Sequence, residues 1–242
     1  MSLVLLVRHA ESYNNELLER LRAEKPRAAA DAEYDSTKKA DPELSALGEQ
    51  QAARCAEWLP RYLASMDFLA EERRVVLVTS PMNRTLCTTI PIARELGLRA
   101  EIWGDCHETK GCWSGGMPPQ RGRTPAEILE AVGTAHFRNS EAAPVPESGW
   151  WSAPDGAPKG RESHEDSCAR AHRVAARLRH QALGASQHTV TILVTHGNWM
   201  SLLLQALLAP DVADPQLMPQ RKFKHDNTAV SGLATAHCRP SI

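Results

Sequence analysis

A three-layer α/β/α sandwich with a mostly parallel central sheet is predicted by two observations. Three unbroken apolar runs, LVLLV at 3–7, VVLVT at 75–79 and VTILVT at 190–195, lack the alternation of a half-solvated strand and suit strands covered on both faces. Between them apolar residues recur at helical spacing, first Cys55, Leu59, Tyr62 and Met66, then Cys168, Ala171, Ala175, Leu178 and Ala182. Strands that alternate with amphipathic helices give layers of this kind. The later helix, near 163–183, is announced by Ser163 with Asp166 three residues on, a capping-box-like start. A further helix near 197–208 begins directly after VTHGN, so its exposed amides open where the third strand ends. Residues 13–42 are polar and charged, and 112–162 hold many of the Pro and Gly residues with Trp113, Trp150 and Trp151. Both are expected to be insertions above the sheet of a single domain spanning 1–242.

The composition excludes several classes. Of 242 residues, 42% are hydrophobic, enough for a substantial core, and the formal net charge is −1. A near-neutral chain offers no broad positive face to nucleic acid or to an anionic membrane, so neither is expected as a partner and any anion must be bound locally. Charge arrives by Arg8, which leaves no signal-peptide core, and no apolar run nears the roughly 20 residues of a membrane span. A cytoplasmic protein is expected. Cysteines 55, 87, 106, 112, 168 and 238 have no repeated spacing and read as reduced thiols. CHETKGC brings Cys106, His107 and Cys112 close together but lacks the second pair a tetrahedral zinc site needs, and the first strand is not followed by G-x-G-x-x-G. Neither metal nor cofactor is expected.

In open α/β sheets ligands sit beyond the carboxyl ends of the strands. The first run ends in Arg8 and His9, the second in Ser80 and Pro81 with Arg84 just beyond, and the third in His196, Gly197 and Asn198. Two histidines and two arginines at adjacent strand ends make a pocket for a doubly charged anion. RHAES, TSPMNRTLCT and VTHGN, together with DPELSALGEQQA at 41–52 and HET followed by GCWSG, resemble the signatures of the histidine phosphatase superfamily and its phosphoglycerate mutase-like fold, branch 1.

The resemblance implies that His9 is a nucleophile forming a phosphohistidine, with Arg8 and Arg84 clamping the phosphoryl oxygens through paired, charge-assisted hydrogen bonds. It implies that His196 donates to the phosphoryl group in the transition state and that Glu108 is the proton donor, with Glu101 and Glu11 as competing carboxylates. Asn15, with Asn14 beside it, falls where relatives place an asparagine on the phosphoryl group. Ser12 matches a family serine and also suits a helix cap. Asn198 stands where the phytase branch has an aspartate acid, which returns the acid role to Glu108. Ala10 replaces the usual glycine after the first histidine and requires an ordinary backbone conformation there.

The expected activity is hydrolysis of a phosphate monoester on a phosphorylated small molecule. Residues 16–42 contain no tryptophan for the G-W-x-D of cofactor-dependent mutases, and 112–162 contain no adjacent arginine pair, Arg121 and Arg123 coming nearest. Phosphoglycerate mutase-type transfer is the alternative, and a non-catalytic module that binds a phospho-ligand is a second. Lys38, Lys39, Lys110, Arg121, Arg123, Lys159 and Arg161 read either as scattered solubilising charge or as a second meeting point for negative charge.

Overall fold

Leu3, Leu5 and Val7 of strand β1 (Ser2–Arg8) enter one half of the core, and Val4 and Leu6 enter the other. A strand loaded on both faces must be sandwiched, and the computed structural model shows how. It describes residues 2–66, 73–114, 120–153, 161–184, 188–209 and 223–235. Lys159 and Cys238, named above, lie outside them. Six strands form one sheet in the order β4-β3-β2-β5-β1-β6. These are β2 (Arg73–Thr79), β3 (Ala100–Ile102), β4 (Phe137–Asn139), β5 (His188–Thr195) and β6 (Val230–Thr235) beside β1. All neighbouring pairs are parallel except β1 with β6.

Helices α3 (Ala46–Ala64) and α4 (Asn83–Leu96) cover the face that holds Leu3, Leu5, Val7, Leu77 and Ile192, through Cys55, Leu59, Leu86 and Ile92. Helices α6 (His164–Gly184) and α7 (Gly197–Leu208) cover the other through Ala171, Val174, Leu178, Trp199 and Leu203. The helical spacing read from Cys55 to Met66 stops short, because α3 ends at Ala64 and Met66 only packs against the same core. Truncating a fully buried leucine such as Leu5 in a core of this kind costs about 2–5 kcal/mol.

Residues 13–42 are not irregular. They form an antiparallel helical hairpin, α1 (Tyr13–Glu24) and α2 (Arg27–Thr37), closed by Leu17, Leu21 and Ala30. The segment 112–162 does not lie wholly above the sheet, since it supplies α5 (Pro125–Val132) and the edge strand β4. Its Trp150 and Trp151 are buried in the core.

The order of strands places β5 between β2 and β1, with Arg8 opposite Thr195 and Thr79 opposite Val194. The three sequence motifs therefore leave the sheet side by side. DPELSALGEQQA braces that edge. Ser45 caps α3 by accepting from the Gly48 amide, Gln51 Oε1 accepts from the Glu11 amide at 2.8 Å, and Asp41 Oδ1 accepts from the Asn83 amide that opens α4. A Cβ on Gly48 would sit 1.9 Å from the Glu11 carbonyl oxygen, so α3 reaches the loop after His9 only with glycine there. Replacing Gly48 with Ala is expected to cost about 3 kcal/mol or more, because backbone must move to admit the methyl. A fall in the urea midpoint checks this, and an unchanged midpoint would show that α3 does not need this approach.

Candidate active site

His9 leaves β1 with its ring clamped at both nitrogens. Nδ1 lies 2.7 Å from the Ala10 carbonyl, which can only accept, so Nδ1 carries the proton. Nε2 is therefore the lone-pair nitrogen, and Arg84 Nε donates to it at 3.1 Å. His9 is buried, and burial, then the charges of Arg84 and Arg8, hold its pKa well below the usual histidine range. The ring is neutral at pH 7. Ala10 has no positive φ, and its amide donates to Thr88 Oγ1, so alanine fits there without strain.

Arg84 sits in the first turn of α4, buried, with its guanidinium fixed by the helix that Asp41 caps. Arg8 is held by Nη1, which donates to the His225 carbonyl at 2.6 Å. A Cβ on Gly197 would come within 3.3 Å of Arg8 Nε, so glycine in THGN leaves that guanidinium its room. His196 is fully buried, its ring centre 5.3 Å from that of His9, and its Nε2 shares a hydrogen bond of 2.7 Å with Ser80 Oγ. Burial, then Arg84 and His9, keep its pKa well below the ordinary value as well. Its Nδ1 has no hydrogen-bond partner among the described residues.

Of the competing carboxylates, Glu108 reaches the cavity. Its Oε1 accepts from the Trp199 amide at 3.0 Å, in the first turn of α7, and from the Thr109 amide at 2.9 Å. Glu101 instead accepts from Trp103, Ser140 and Arg138 on β3. Glu11 accepts from Ser45 Oγ at 2.6 Å, so it secures the neighbouring loop. The two asparagines also separate. Asn14 is spent on the Lys39 backbone, accepting from its amide and donating to its carbonyl. Asn15 Oδ1 accepts from the Ser12 amide, from Ser12 Oγ and from Asn227 Nδ2, an arrangement that turns its own Nδ2 donors away from those partners. Ser12 thus orients Asn15 at the start of α1. Asn198 lies exposed at the rim.

Arg8, His9, Ser12, Asn15, Arg84, Glu108 and Asn198 line a cavity of about 580 Å³, whereas His196, fully buried, is not among the lining residues. Its floor holds Arg8, His9 and Arg84; its walls come from the helical hairpin (Leu18, Arg22, Tyr34), from Lys110 and Trp113, and from Phe223, Lys224 and His225. The hairpin and the last segment carry no motif, so they escaped the sequence reading. Only tertiary contact finds Asn227, whose Nδ2 also donates to the His9 carbonyl at 3.0 Å. Of the cations read as a second anion site, Lys38, Lys39 and Lys110 line the cavity. Lys38 pairs with Asp35 and stacks on Trp113, Lys39 pairs with Glu43, and Arg161 stacks on the same Trp113 ring at 3.4 Å. Arg121 pairs with Glu127, and Arg123 with Asp41. Among the described residues no group of three or more His, Cys, Asp or Glu side chains could hold a metal ion, and no helix is long and apolar enough to cross a membrane.

The chain is a mostly parallel α/β sandwich with paired His and Arg side chains at its strand ends. The chain belongs to the histidine phosphatase superfamily, branch 1, whose family model matches residues 4–242. Its fold is shared with a mycobacterial glucosyl-3-phosphoglycerate phosphatase solved with VO3, at 23% identity and TM-score 0.53, over 96% of this chain and 92% of that one. It is also shared with the Entamoeba histolytica phosphoserine phosphatase in complex with 3-phosphoglyceric acid, at 18% identity and TM-score 0.52, over 96% and 90%. A variant of that phosphatase with phosphoserine gives 17% identity and TM-score 0.55, over 98% and 92%. No curated protein matches the sequence.

The depressed histidines set the sign of a pH effect. A histidine whose folded pKa lies below its unfolded value of about 6.5 adds stability above that pH and loses it as pH falls, at about 1.4 kcal/mol per unit and per group. Urea unfolding between pH 7 and 5 is expected to show stability falling with pH, and replacing His9 with Gln should remove about one proton from the slope. An unchanged slope would mean that His9 takes up its proton in the folded state.

Proposed function

We propose that this protein is a phosphomonoesterase that works through a phosphohistidine on His9. The observation that supports it most is the pairing of a proton on Nδ1 with a lone pair on Nε2 at the floor of the cavity. A neutral, oriented imidazole is a competent nucleophile near neutral pH.

In the reaction the phosphate ester enters with its phosphoryl oxygens between Arg8, Arg84 and the Asn15 amide. His9 Nε2 forms a bond to phosphorus as the ester P–O bond breaks. Glu108, as the carboxylic acid, gives its proton to the departing alkoxide. The resulting Glu108 carboxylate then takes a proton from water, whose oxygen attacks phosphorus and frees His9 and inorganic phosphate. Charge spreading over the phosphoryl oxygens is met by the guanidinium groups and by His196. Donors held beforehand cost nothing to reorganise at the moment of reaction.

Hydrolysis goes better than mutase transfer with the observed pairing of Arg121 and Arg123. Both are neutralised by Glu127 and Asp41 outside the cavity, so neither adds to a second phosphate site. Five described cysteines are free thiols, which suits a reducing cytoplasm.

A panel of sugar phosphates, glycerates, nucleotides and phosphopeptides is expected to yield inorganic phosphate, with an acid-labile phosphoenzyme trapped during turnover. His9→Ala should abolish both, a loss of at least about a thousandfold. Equilibration of 3-phosphoglycerate with 2-phosphoglycerate without phosphate release would replace this reading by a mutase. Absence of turnover and of phosphoenzyme, with phospho-ligand still bound after His9→Ala, would make the protein a binding module.

A further inference from the structure

The loop that delivers Glu108 is held from behind by a buried ion pair outside the cavity. Arg170, on α6, and Glu162 are 3% and 8% exposed. Arg170 Nε and Nη2 donate to the two Glu162 carboxylate oxygens at 2.9 and 2.7 Å, a two-bond fork. Its remaining nitrogen, Nη1, donates to the carbonyls of Asp105 and His107 at 2.7 and 2.8 Å. Glu162 is fixed in turn, its Oε2 accepting from Ser167 Oγ and its amide donating to the Lys110 carbonyl. Carbonyls 105, 107 and 110 thus bracket Glu108. On the same loop Thr195 Oγ1 donates to the Cys106 carbonyl, and His107 Nδ1 bonds the Gly104 carbonyl. The Arg170 guanidinium carbon also lies 5.4 Å from the ring centre of Trp199, whose amide holds the Glu108 carboxylate.

Burying two charges is costly, and an apolar pair of similar volume would pack α6 at least as well. An apolar pair could not donate to two buried carbonyls at fixed places. Burial pushes the Glu162 carboxyl up, but His107 and the Arg170 fork outweigh it and hold it down to about 2, so the pair stays charged at any working pH. Neither Arg170 nor Glu162 lines the cavity.

We propose that Arg170, locked by Glu162, is the positioning residue for Glu108. It fixes the backbone before the acid so that the carboxyl meets both the α7 N-terminus and the leaving oxygen of the ester. This rests on the reading of Glu108 as the proton donor, and it predicts a specific defect. The Arg170 pair governs proton delivery to the leaving group and leaves phosphate binding alone.

Leaving groups separate that role from general support of the fold. An alkoxide needs the proton; a nitrophenolate departs without it. The specificity constant kcat/KM, which reports the steps up to departure of the leaving group and not the later attack of water, is compared for glycerol phosphate and p-nitrophenyl phosphate in wild type, Glu108→Gln, Arg170→Lys and the double variant Arg170→Met with Glu162→Met. In the double variant kcat/KM for glycerol phosphate is expected to fall by about 30- to 100-fold, as for a misplaced catalytic group. The kcat/KM for the nitrophenyl ester should change by less than about threefold, with inhibition by inorganic phosphate unaltered. Arg170→Lys keeps charge and most of the volume but not the fork; it should show the same selectivity more weakly, so the test does not hang on folding of the double variant. Equal losses on both esters, or no loss on either, would overturn the positioning role. If Glu108→Gln itself lowers both equally, the acid assignment fails instead. If Glu108→Gln discriminates and the Arg170 variants do not, positioning fails alone.

Discussion

The hydrogen bond between His9 Nδ1 and the carbonyl of the next residue, Ala10, is the constraint on which the site depends. It chooses the tautomer and so decides which nitrogen faces Arg84. An imidazole with its proton on the other nitrogen would present a donor to a donor. Burial reinforces the choice, because the charged ring would have to share a water-poor floor with two guanidinium groups. The arrangement therefore favours a neutral base whose Nε2 lone pair faces the Arg84 guanidinium.

Most of the surrounding structure serves to keep that ring and its partners in place. β1 is paired on both edges, so His9 leaves a strand that cannot shift its register without turning Leu3, Leu5 and Val7 to the opposite face. Arg84 is aimed by α4, whose first amide is capped by Asp41. Asp41 begins the same segment whose Gly48 lets α3 close on Glu11. Glu108 is anchored at α7, which starts at His196. Two helix N-termini thus converge on the cavity, each already occupied by a carboxylate that orients it. The side chains of Arg8, His9 and Arg84 face the cavity between them.

The sheet and the floor of the site were legible because their signals are local. Unbroken apolar runs revealed β1, β2 and β5, and the charged residues directly after them named Arg8, His9, Arg84 and His196. The short edge strands β3 and β4 carry three residues each, too few to show a period, and β4 was hidden in a segment rich in Pro and Gly. The helical hairpin went unread because its apolar stripe is only Leu17, Leu21 and Ala30 on an otherwise charged surface. Asn227 and His225 touch Asn15 and Arg8 across more than two hundred residues, a pairing no spacing rule can express. The choice among Glu11, Glu101 and Glu108 likewise needed the partners of each carboxylate, since all three lie in or near motif segments.

The tautomer of His9 can be read directly. A long-range proton–nitrogen spectrum of the protein labelled with nitrogen-15 should show His9 protonated at Nδ1 and bare at Nε2, unchanged from pH 8 down to about 5.5, a unit below the ordinary histidine pKa. A proton on Nε2 would contradict the account because the ring would offer phosphorus no lone pair there, and a titration centred near 6.5 would contradict it because burial and the two guanidinium groups would then not hold the ring neutral.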